Sequence, residues 1–125
     1  MVRRLFSILI VAVPMLASTA FAHHSIAAEF DSENPITLTG TVKEVVWMSP
    51  HISVFIDVRQ DNGEVFTYEV QGGPPNRLFR SGARKTDLMP GDAVVVEGAR
   101  ARNPESLRVG QGAFSKPDGA GVWQD

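Results

Sequence analysis

The stretch ISVFIDVRQDNGEVFTYEV, residues 52–70, decides the fold class. Ile52, Val54, Ile56 and Val58 fall on every second position with Ser53 and Asp57 between them, the period of a strand with one buried face. Asp61-Asn62-Gly63 supplies residues that tolerate positive φ, so Val65–Val70 is expected to return antiparallel to its neighbour as a hairpin. Upstream, Ile36–Trp47 (ITLTGTVKEVVW) also reads as a strand, with Gly40 predicting a bulge or bend where it must curl, and Ser49-Pro50 closes it. Downstream, Gly72-Gly73-Pro74-Pro75 breaks the sheet, and Asn76–Ser81 has room for a short helix that Gly82 can end. The turn Asp87–Asp92 leads into a strand over Ala93–Gly98, and a last strand is expected near Leu107–Phe114. Ser115–Asp125 carries a turn, Pro117-Asp118-Gly119, and a near-terminal Trp123. Five strands with one helix between the third and fourth predict a mainly β chain folded as an OB-like barrel. Strand pairing is not readable from sequence, so another small barrel or an open sandwich is also compatible.

Closing such a barrel assigns Phe55, Phe66, Tyr68, Leu78, Phe79 and Phe114 to the core or its edge. Asp57 and Glu69 interleave with the second and third strands, and the chain has a formal charge of −2. That excludes a nucleic-acid face, which needs basic residues to meet phosphate. One basic cluster exists, Arg77, Arg80, Arg84 and Lys85, compatible with an anion site, an acidic partner or a solvated helix face. The loop Gln71–Asn76 can offer backbone amides to a ligand, and equally makes a sharp strand-to-helix turn.

The N-terminus reads as an export signal: Arg3 and Arg4, the apolar run Leu5–Leu16, and the small-residue site Ala20-x-Ala22. The run falls short of the about 20 apolar residues a spanning helix needs, and Pro14 interrupts it. With no cysteine there is no lipid attachment and no disulfide. The expected location is therefore periplasmic or secreted, with no membrane association after the signal is removed. Cleavage after Ala22 leaves 103 of the 125 residues, enough for one small domain: a polar arm over residues 23–34 and the barrel over 35–125.

That cut makes His23 the first residue, with its α-amine and imidazole together as nitrogen ligands for copper or another borderline metal. His24 follows, and the third histidine, His51, stands after Ser49-Pro50 at the mouth of the second strand, near the barrel rim. If the arm folds back along the first strand, His51 can supply a third nitrogen. The arrangement then resembles the histidine brace of copper proteins such as lytic polysaccharide monooxygenases. A cut before Ala22 would give Ala22-His23-His24, a terminal X-X-His motif for copper or nickel. Glu29 and Asp31 are near enough in sequence to be weak or outer ligands, and zinc on His23, His24, His51 and one carboxylate is chemically acceptable. Solvated histidines on a loose arm, with His51 capping a strand, are the plainer alternative.

Several motifs carry a family resemblance. A-H-H-S at 22–25, Phe30-Asp31, T-L-T-G-T-V at 37–42, W-x-x-P-H at 47–51, Glu69 through Gly73 with Asn76, and L-x-P-G-D-x-V-x-V-x-G at 88–98 resemble a family of small exported bacterial proteins of unknown function. The resemblance covers nearly all of the chain after the signal. It implies export and an OB-like domain, brings no activity, and groups His23, His24 and His51 as signature positions. The family usually has Asn-Pro-His where this chain has Ser49-Pro50-His51.

Catalysis has little support in the sequence beyond a metal: no cysteine nucleophile, Gly-x-Ser-x-Gly elbow, His-Glu-x-x-His or phosphate-binding glycine loop is present. The residues thus point to a transition-metal protein using His23, His24 and His51, with copper first and zinc second. A second class is open, an interaction module that docks a periplasmic protein or a small ligand on the face around Trp47, Tyr68 and Arg77.

Overall fold

The computed structural model describes residues 26–124. A helical turn at 26–29 leads into β1 (Phe30–Val46), followed by β2 (Ser53–Arg59) and β3 (Val65–Gln71). Helix α1 (Pro75–Arg80) and a 3-10 turn (Lys85–Asp87) come next, then β4 (Ala93–Ala101), β5 (Arg108–Ser115) and the short β6 (Gly121–Trp123). The strands are ordered β3-β2-β1-β4-β5-β6, and β3 pairs parallel with β5 through Glu69↔Arg108 and Val70↔Val109. That last pairing closes five strands into an OB-like barrel, with α1 between β3 and β4 as the spacing predicted. β6 is an extra strand on β5 that the sequence pattern did not indicate.

The hairpin at the centre forms for the reasons its sequence suggests. Gln60 and Glu64 close the turn by a backbone hydrogen bond of 2.7 Å, Gly63 has φ +88, and Val54↔Val70 and Ile56↔Tyr68 set the register. Ile52, Val54 and Ile56 are fully buried, and the core they enter includes Val70, Val94, Val96, Val109 and Phe114. α1 contributes Leu78 to this core, and Gly82, at φ +100, ends the turn after it. Trp123 of β6 closes the same end, edge-on to Trp47 at 5.2 Å and to Phe114 at 5.6 Å. Its indole N–H donates to Asp87.

β1 departs from its predicted limits. It starts at Phe30 rather than Ile36, so much of the expected arm is strand: Phe30 and Asp31 pair with Ala101 and Arg100. A register shift between Asp31 and Pro35 bulges the polar Ser32-Glu33-Asn34 outward and hides the strand from any period-2 reading. The other shift lies between Val42 and Glu44, not at Gly40. Gly40 instead marks where β1 passes from β4 to β2, and a Cβ there would lie 2.6 Å from the Asp57 carbonyl oxygen. Backbone cannot yield as a side chain can. Gly40→Ala is expected to cost about 1–3 kcal/mol or more by overpacking, measured by urea unfolding. A loss below a few tenths would show that β1 and β2 separate freely there.

Two aromatics assigned to the core or its edge are exposed. Phe79 is 57% exposed, because a helix of six residues turns one side chain fully inward and that one is Leu78. Phe66 is 38% exposed, since its inward row opens at the end of the barrel away from α1. Phe55 is half-buried, and Tyr68 packs against the core from its edge.

Candidate functional site

His51 is half-buried directly before β2. Its neighbour Ile52 is fixed between strands by Ile52 N–H to the Gly73 carbonyl (3.1 Å) and Gly72 N–H to the Ile52 carbonyl (3.0 Å). Alternation therefore puts His51 on the outer side of the barrel with Ser53. From Ser53 a chain of polar contacts crosses the sheet. The Ser53 hydroxyl donates to Glu69 Oε1 (3.0 Å), Arg108 Nε donates to Glu69 Oε2 (3.0 Å), and Arg108 Nη1 pairs with Glu29. Each of these side chains is partly exposed, so the ion pairs orient more than they stabilise.

The same Arg108 guanidinium stands 5.8 Å from the Phe30 ring centroid. Phe30 is 3% exposed and packs on Ala99 and Ala101, while Gly110 leaves room for its ring: a Cβ there would lie 2.7 Å from the ring carbons. Arg102 adds two bonds to the incoming segment, Nε to the Ala27 carbonyl (2.8 Å) and backbone N–H to the Glu29 carbonyl (2.9 Å). In the bulge, Asp31 accepts from Asn34 Nδ2 at 2.8 Å and from the Glu33 N–H, with Arg102 at 3.9 Å. The Asn34 hydrogen bond foremost holds its carboxyl below the usual range; desolvation opposes it, and the Glu33 N–H and the Arg102 charge add to the lowering. The start of the described chain is thus pinned to β4 and β5.

His23 and His24 lie outside the described residues. Among the described residues, no group of three or more His, Cys, Asp or Glu side chains gathers as a metal site. Glu29 and Asp31, considered above as outer ligands, are engaged by Arg108 and by Asn34 and Arg102 respectively. Trp47 is half-buried against Trp123, Arg77 is exposed on α1, and Tyr68 lines a pocket that includes neither of them. Within the basic cluster, Arg84 turns back onto the end of α1, donating to the Ala83 (2.8 Å) and Phe79 (3.2 Å) carbonyls and lying 4.1 Å from the Phe79 ring centroid.

Arg108 was not singled out by the sequence, and Glu69 and Ser53 were named there only as strand residues and, for Glu69, within a family motif. Glu69 and Arg108 meet because β3 and β5 pair, and no local pattern records a parallel closure between strands so far apart in the chain. Among the described residues no helix is long and apolar enough to cross a membrane. Compared with known protein families, residues 11–110 match the model of a family of unknown function. No curated protein and no solved structure matches the chain.

Proposed function

The chain belongs to that family, DUF6152, and membership brings no activity with it; from its own residues we propose an exported, periplasmic protein that binds a transition metal, copper before zinc, through His23 and His51 with His24 assisting. The pinning of the segment that follows the two histidines supports this reading. Glu29 is six residues after His23, and six residues reach at most about 20 Å. The Glu29 carboxylate is linked through Arg108 and Glu69 to Ser53, two residues from His51. A short tether from a fixed point reduces the entropy lost when its free end joins a second ligand. Cleavage after Ala22 would give that end an amine and an imidazole on one residue. Nitrogen ligands of this kind rank copper(II) above the other divalent first-row ions.

The test is to purify the protein after export, confirm the terminus by intact mass, and titrate copper(II) while recording electron paramagnetic resonance. A single nitrogen-rich site is expected. His51→Ala should weaken it by about 100-fold or more, beyond the about 10–100-fold that loss of an outer-shell partner costs. One residue added before His23 should do the same. Heterogeneous binding indifferent to both changes would sink the reading and favour an interaction module that docks a partner without metal.

A further inference from the structure

Inward rows of the barrel are apolar until they reach the end opposite α1, where one of them finishes on a charge. Along β4, Val94, Val96 and Gly98 are buried; past the register shift at Gly98 the exposed Arg100 pairs with Val109 of the core and so stands on the same side of the strand. Beside it the row of β1 finishes on Ile36, and in the row of β3 Tyr68 stands one place inside the exposed Phe66; Ile36 and Tyr68 are half-buried and packed against the core. Arg100, Ile36 and Tyr68, with Val109, Arg102 and Arg108, line a cavity of about 200 Å³. No aspartate or glutamate lines it, although the chain as a whole is acidic. Arg108 is paired with Glu29 and Glu69, and Arg102 with Asp31. Arg100 has no ion-pair or side-chain hydrogen-bond partner among the described residues.

From this arrangement we infer that the barrel mouth binds a small carboxylate with an apolar or aromatic body. A cation at the end of an apolar row breaks the pattern of its strand, and such breaks concentrate at sites of function. The planar guanidinium presents parallel N–H donors that fit a carboxylate in two-point contact. Ile36, Val109 and the Tyr68 ring give the remainder of the ligand apolar surface to cover, and the phenol is a donor at the edge. The cavity has the room of about seven waters at about 30 Å³ each, which suits a small acid rather than a drug-sized molecule. The apolar body distinguishes this ligand from inorganic phosphate, which has none to bury. None of the lining residues is a histidine.

The full chain, purified and labelled with nitrogen-15, would be titrated with benzoate, with uncharged benzamide and with inorganic phosphate, each with EDTA present. Benzoate should give saturable amide shifts at Ile36, Tyr68 and Arg100, and Arg100→Met should weaken binding by about tenfold or more while keeping the aliphatic stem. Arg100→Lys should fall between, retaining charge without the fork. Benzamide binding as tightly as benzoate would remove the role of the charge. Phosphate saturating the same amides as tightly as benzoate would remove the role of the apolar floor. Either result, or benzoate binding unaffected by Arg100→Met, overturns the inference.

Discussion

Trp123→Ala is expected to destabilise the domain by about 3–5 kcal/mol, the range for truncating a buried Trp or Phe. The residue is 2% exposed, fills the α1 end of the barrel edge-on to Trp47 and Phe114, and satisfies its indole N–H on Asp87. Truncation opens a cavity where two aromatic rings lose their common neighbour, and it leaves Asp87 with one donor fewer. For a domain whose whole stability is about 5–15 kcal/mol, the loss is large enough to see in the urea midpoint by circular dichroism. Trp123→Phe, keeping a ring and losing the hydrogen bond, should cost about 1–2 kcal/mol. If the alanine variant loses less than the phenylalanine variant, β6 is an appendage and not part of the core.

Phe30→Ala should have the second largest effect, with a different signature. A buried Phe truncated to Ala costs about 3–5 kcal/mol, but Phe30 belongs to a small cluster with Ala99 and Ala101, apart from the main core. Once the cost exceeds what docks the segment, the segment detaches and the global loss stops there. Hydrogen exchange should therefore show amides of residues 30–34 losing protection while Val54, Ile56 and Val70 keep theirs. Metal affinity should fall in the same variant if the pinned segment sets the reach of His23. Uniform loss of protection across all strands would mean that the segment and barrel unfold as one unit.

The sequence exposed what is periodic and local. The inward row from Ile52 to Val58, the Asn62-Gly63 turn and the breaker at Gly72–Pro75 are each decided within about ten residues of chain, and the barrel follows their order. The first part of β1 was hidden because Ser32-Glu33-Asn34 bulges out of register and reads as a polar arm. Phe66 and Phe79 were assigned to the core or its edge on hydrophobicity alone, whereas exposure at a strand end and on a six-residue helix is a matter of position in the assembled barrel. Of the candidate site, His51 was legible as a residue at the mouth of β2. The link from Ser53 through Glu69 and Arg108 to Glu29 was not, since it exists only once β3 and β5 have met. Arg100 had no signal beyond the alternation of β4, which reads from sequence as ending at Gly98.

The partner of β1 has a consequence for how the chain folds. Its first half pairs with β4 and only its end with β2, so Phe30 must find Ala101 across the intervening hairpin and helix. Contacts between residues so distant in sequence slow folding, because the entropy of closing the loop is lost before the contact is gained. The β2–β3 hairpin, whose partners are adjacent in sequence, can therefore order early, while most of β1 waits as an open edge for β4. An edge that waits is exposed to pairing with another molecule. Glu33, Pro35 and the outward bulge lie on that edge, and a ladder interrupted by charge, a missing N–H and a change of register is a poor template for a second chain.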